Sequence, residues 1–202
     1  MIRITAVSLV TALCAIAEDA FPTPATTAPP EIVASAVAAV RHLGEQVVLG
    51  RYHVAIEKMN PMWKDRAARR AGGMASLERQ LQDVPRRMLR DGVSILSSHP
   101  QGEPKVFEVS PGRANPDGSG EIIYTKWLIF VPTITTSRVI RESEPRPILF
   151  ESIGFQVAVS DKEPLDWTFI DGSSVTVNEL RSMFLTLPAD FELPPIELRE
   201  AR

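Results

Sequence analysis

The chain has 202 residues, 44% of them apolar and 23% charged, with a formal net charge of −3. That length suffices for one domain with a sizeable core, and the composition is ordinary for a globular protein. The near-neutral balance removes any global reason to expect nucleic-acid binding. The charge is uneven, however: residues 41–90 hold eleven Lys/Arg against five Asp/Glu, and residues 91–202 hold ten against seventeen.

The first twenty residues read MIRITAVSLVTALCAIAEDA. Arg3 supplies a positive start, an apolar run extends from Ile4 to Ile16, and Ala15 and Ala17 stand in the A-x-A spacing of a cleavage site. The pattern predicts a signal peptide over residues 1–17 and an exported chain, periplasmic or secreted. The run is too short to span a bilayer comfortably, so the mature chain is expected to lack an integral membrane segment. Cys14 is the single cysteine. Its acylation in a lipoprotein signal is the alternative, and Leu13 before it is larger than such a site prefers. Cleavage after Ala17 leaves no thiol or disulfide chemistry.

Residues 18–30, rich in Pro, Thr and Ala, predict a poorly ordered linker. A helical pattern opens at Glu31 and runs through Val40, Leu43 and Val47, with Gly50 as its break. A second run begins near Arg51, with Pro61 predicting a kink or restart, and Gly72-Gly73 end it. A third starts near Met74; Pro85 weakens its end and Asp91-Gly92 close it. The period then changes to two. Strands are predicted at 93–98, 105–109, 121–131, 148–159 and 165–171, with 134–140 adding strand length. Three helices followed by strands predict an α+β fold with an antiparallel sheet covered on one face. Ile123, Trp127, Ile129 and Val131 share one parity with Thr125, and Leu149, Ile153, Phe155, Val157 and Val159 share one with Glu151.

LGRYHVAIEKMNPMWK (49–64), GGMASLERQLQDV (72–84) and the closing DWTFIDG (166–172), followed by the short helix TVNELRSMF, together resemble the nuclear transport factor 2-like superfamily, the cystatin-like α+β cone that includes the ketosteroid-isomerase type. The resemblance covers residues 31–188, and 189–202 is left as an extended tail. It implies a strongly bent antiparallel sheet, three N-terminal helices and a pocket between them. It implies no single activity, because the fold hosts isomerases, cyclases, dehydratases and non-enzymatic modules. Enzymes of the isomerase type use a carboxylate base with donors for an oxyanion inside the cone, and no full match to that set is present here.

Glu151 is the candidate catalytic base: a carboxylate on an apolar parity must find a partner or shift its pKa. Its plainer role is a water-exposed residue near the strand start. Thr125, Trp127, Trp63, His53 and Trp167 are the candidate lining of a pocket for a small apolar ligand, although core packing is the ordinary role of the tryptophans. The histidines His42, His53 and His99 show no metal-ligand spacing, so no metal or cofactor is expected. The basic clusters 64–73 and 85–90 lack interleaved aromatics and read as solvated helix faces. Asp171 before Gly172 is expected to shape a turn. Tyr124, Lys126 and Phe130, on the opposite parity, would line an open sheet face on which a homodimer could form. The expectation is an exported, non-enzymatic binding or interaction module; the alternative is a small-molecule isomerase, cyclase or dehydratase using Glu151.

Overall fold

The computed structural model describes residues 28–112, 123–141 and 146–201. The expected signal peptide, Cys14 and most of the expected linker lie outside the described residues. The fold is α+β: helices surround a six-stranded antiparallel sheet.

The three expected helical runs are five helices. The first run is one helix, α1 (Pro30–Val48), with Pro30 in its first turn, where a missing N–H costs nothing. Its buried residues Ala36, Val40, Leu43 and Gly44 fall on one stripe. Gly44 is required there: a Cβ would lie 2.5 Å from the Ser98 carbonyl oxygen, so the helix backbone rides directly on a strand. The second run divides into α2 (Tyr52–Glu57) and α3 (Pro61–Ala71). Asn60 between them is extended, its Oδ1 accepts from Trp63 N at 3.3 Å, and Pro61 occupies the first helical position. The third run divides at Asp83 into α4 (Met74–Gln82) and α5 (Val84–Arg90), because Pro85 cannot donate back into the preceding turn.

The strands are β1 (Val93–Pro100), β2 (Lys105–Val109), β3 (Lys126–Val139), β4 (Ile148–Asp161), β5 (Thr168–Asp171) and β6 (Glu197–Glu200). The predicted start at 121–125 is not strand: 121 and 122 lie outside the described residues and 123–125 precede β3. β3 and β4 are the long central pair. β1 and β2 follow one another along the outer edge of β3, and β5 and β6 share the outer edge of β4. Pro132 sits in the middle of β3 without harm. Its carbonyl accepts from Gln101 N, so its missing donor faces the gap between β1 and β2. A short parallel bridge adds Met59 beside Phe169, with Asn60 N donating to Phe169 O and Phe169 N to Lys58 O, each at 2.8 Å.

The sheet is covered on both faces at the β2–β5 end, not on one. In the observed register Ile129 faces Ala158 and Phe130 faces Val157, so the apolar stripes of β3 and β4 point to opposite sides. Trp127, Ile129 and Val131, with Ala158 and Phe169, pack under α1. Leu128, Phe130, Phe155, Val157 and Ile170 pack under α6 (Val177–Met183) and the chain that follows it. Leu180, Met183 and Phe184 belong to this core, and all three are fully buried. Each fully buried apolar side chain of this size contributes about 1.5–3 kcal/mol. Phe130 is therefore not available on an open dimer face: it is closed off by Phe191, whose ring centroid is 4.8 Å away. The tail beyond residue 188 is extended but packs onto the domain, through Phe191 and then through β6 on β4.

The turn after β5 explains the Asp-Gly pair. Asp171 Oδ1 accepts from Ser173 N and its Oδ2 from Ser173 Oγ at 2.6 Å. A Cβ on Gly172 would lie 2.3 Å from the Phe155 carbonyl oxygen, which Gly172 N contacts as a donor at 3.2 Å. Thr176 then opens α6 with a capping box shared with Glu179.

Candidate functional site

One cleft stands out, about 420 Å³ in volume, between α1 and the half of the sheet built from β1, β3 and β4. Its position follows from a change of side-chain character within one sheet face. Beneath the first part of α1 that face is apolar, with Trp127, Ile129 and Val131 on β3 and Ala158 on β4. Further along, the same parity carries Thr133 and Thr135 on β3 and Gln156, Gly154 and Ser152 on β4. These side chains are too small or too polar to fill the space under the helix, and the space remains open.

The register orders the floor into rows. Ser98, Thr135 and Ser152 lie side by side across three strands, and Thr133 pairs with Gly154 in the next row. Ser98 Oγ and Thr135 Oγ1 are 3.0 Å apart and share a hydrogen bond. Gln156 lies between Val131 and Asp171 in the row after that. A Cβ built on Gly154 meets nothing within 4 Å, so the strand backbone itself is the floor there. Val40, Leu43 and Val47 of α1 and Ala55 of α2 form the aliphatic wall. His99 also borders the cleft, although it pairs with Ile134 on the other parity. Gln156 Oε1 is buried without a hydrogen-bond partner. Among the described residues no group of three or more His, Cys, Asp or Glu side chains is placed to hold a metal. Nor is any helix among them long and apolar enough to cross a membrane.

The residues singled out from sequence do not converge on this cleft. Glu151 pairs with Thr136 and with Arg199 of β6, on the parity opposite to the cleft floor. Its Oε2 accepts from Arg199 Nε at 2.9 Å and lies 2.7 Å from Nη2. The partner that a half-buried carboxylate needs is thus a guanidinium on the sheet edge. Thr125 is exposed, and its backbone links β2 to the β4–β5 turn: its N donates to Val109 O and its O accepts from Lys162 N. Trp127 is buried under α1, with Lys162 Nζ 4.9 Å from its ring centroid. Trp63 is buried on the opposite face, with the Arg70 guanidinium 4.7 Å from its ring centroid. His53 is exposed on α2. Trp167 donates from Nε1 to Ser35 Oγ at 2.9 Å and borders a separate recess of about 300 Å³ with His42, Lys58 and Asp166.

Ser98, Thr133, Thr135, Ser152, Gly154 and Gln156 line the cleft and are not among the candidates drawn from the sequence. A signal for them exists: on β3 and on β4, one parity changes from apolar to hydroxyl or glycine in mid-strand. A strand meant only for core packing has no use for that change.

Among the described residues, the carboxyl whose acidity is shifted is Glu179, on α6. Burial pushes the Glu179 carboxyl up, but hydrogen bonds from Thr176 Oγ1 and N, together with the Arg70 charge, outweigh it and hold the group below its ordinary value. Glu179 serves the helix cap and an ion pair with Arg70, away from the cleft.

Searches of protein-family models, of curated proteins and of solved structures each returned no match to the chain.

Proposed function

We propose that the chain is an exported, non-enzymatic binding module of the nuclear transport factor 2-like kind, with its ligand site in the cleft between α1 and the sheet. The observation that carries the reading is the cleft itself: about 420 Å³ of open space, floored by neutral hydroxyls and walled by aliphatic side chains. A volume of this size lies within the roughly 300–1,000 Å³ typical of small-molecule sites. Further support comes from α1 lying against an antiparallel sheet whose strand β5 carries the DWTFIDG motif, as the resemblance implies. The side chains on the floor hydrogen-bond and orient a ligand; the carboxylate among the described lining residues, Asp171, has both oxygens accepting from Ser173. Glu151 faces away and is neutralised by Arg199, which weighs against the isomerase alternative. Export rests on the expected signal peptide and is checked by fractionating cells that produce the full chain.

The test is a ligand-observed NMR screen of a mixed fragment library against the wild type, Gly154→Leu and Glu151→Gln. The leucine side chain fills the cleft from a position where a Cβ meets no neighbour. Fragments bound by the wild type should be lost from Gly154→Leu and kept by Glu151→Gln. Hits indifferent to Gly154→Leu, or a turnover that Glu151→Gln removes, would contradict the proposal.

A further inference from the structure

We infer that the cleft takes a neutral, polyhydroxylated ring: a single saccharide unit. The inference rests on the reading of the cleft as the ligand site and adds the chemical class of the ligand.

Charge is the first argument. Among the described residues lining the cleft there is no Lys or Arg, so a carboxylated or phosphorylated ligand would be desolvated without a counter-charge. Asp171 is the one carboxylate in the lining, and both of its oxygens already accept from Ser173. An ionised carboxylate has about four acceptor positions, so it can still take a ligand hydroxyl.

The second argument is the match of donors to acceptors. The hydroxyls of Ser98, Thr133, Thr135 and Ser152 each donate and accept, as do sugar hydroxyls. Their rows across the strands give two polar layers on the floor. Gln156 adds a carboxamide, whose Oε1 is buried and unpaired. A buried acceptor without a donor costs about 1–3 kcal/mol.

Shape is the third. Val40, Leu43, Val47 and Ala55 face the polar floor across the cleft. A pyranose offers the complementary pair of surfaces: C–H groups on its faces for the aliphatic wall, hydroxyls on its rim for the floor. A wholly apolar ligand would strip water from the floor hydroxyls without replacing their hydrogen bonds.

The full chain is titrated calorimetrically with the methyl glycosides of glucose, galactose, mannose and N-acetylglucosamine, and with glucuronate, glucosamine and cyclohexylmethanol. At least one neutral glycoside should bind tighter than all three controls. Ser152→Val and Gln156→Leu, checked by urea unfolding to remain folded, should each weaken it by about tenfold, the effect of losing one good polar contact. A preference for glucuronate, glucosamine or the apolar alcohol overturns the saccharide assignment and leaves the cleft standing as a site. Binding of none of the compounds likewise overturns the assignment. Failure of the cleft reading has a different signature, which is fragment binding that survives Gly154→Leu.

Discussion

Replacing Gly172 by alanine adds one methyl group where the backbone of β4 passes closest to the β5 turn. The new Cβ would stand 2.3 Å from Phe155 O and 2.6 Å from its ring atom Cδ2. Phe155 is itself 3% exposed, so its ring has little room to retreat. Relief requires the turn to move outward, which stretches the Gly172 N to Phe155 O contact, now 3.2 Å. Overpacking of this sort costs about 1–3 kcal/mol, and loss of one backbone hydrogen bond adds about 1 kcal/mol. The expected destabilisation is therefore about 2–4 kcal/mol. With a urea slope of about 2 kcal/mol/M, the unfolding midpoint should fall by about 1–2 M. Gly154→Ala is the internal control, since its Cβ meets nothing; it should lie within about 0.5 kcal/mol of the wild type, as benign surface substitutions do. Equal midpoints for the two variants would refute the close-approach argument, because both remove a glycine from the same half of the sheet.

Phe191→Ala should cost about 3–5 kcal/mol, as for other buried phenylalanines, because the ring packs at 5.2 Å from Phe107 and 4.8 Å from Phe130. A midpoint shift below a quarter of that would mean that the segment after α6 does not belong to the core. Thr176→Ala removes the capping box of α6 and should cost about 1 kcal/mol at pH 7. Its effect also has a pH signature. The Glu179 carboxyl is held low in the folded state, so its contribution is fully present above the ordinary glutamate value of about 4.3 and is lost as pH falls through the lower folded value. The gap between the wild type and Thr176→Ala, read from urea midpoints at pH 7 and pH 3, should therefore narrow in acid; a constant gap would refute the linkage. Glu151→Gln breaks an ion pair whose arginine side chain is 57% exposed, so stability should change by no more than about 1 kcal/mol. A larger loss in urea unfolding would show that Glu151 carries more than this edge contact.

Local patterns were the legible part of this fold. Residues 105–109 read as a strand and are one, and the TVNELRSMF stretch reads as the short helix it forms. Pro61 and Pro85 were visible as weak points, and the chain breaks its helices at both. Strand pairing was not legible, because alternation shows that a strand has an apolar side without showing which way that side turns relative to its neighbour. Alternation alone makes the stripe with Trp127 and the stripe with Phe155 walls of one core, whereas the register of Ile129 with Ala158 sends them to opposite faces. The partner of Glu151 was hidden for the same reason: Arg199 lies 48 residues away on a four-residue strand with no strong pattern of its own. Thr133, Thr135 and Ser152 were passed over because hydroxyl residues are common in strands, and only the position of α1 above them turns their small size into a cleft.

The most direct test of the cleft as a ligand site is chemical-shift mapping of the isotope-labelled protein during titration with the fragment or glycoside that binds most tightly. The largest amide shifts should fall on Ser98, Thr133, Thr135, Ser152 and Gly154, with Trp63 and Glu151 unmoved. Shifts centred on the α6 face, or on the recess beside Trp167, would contradict it.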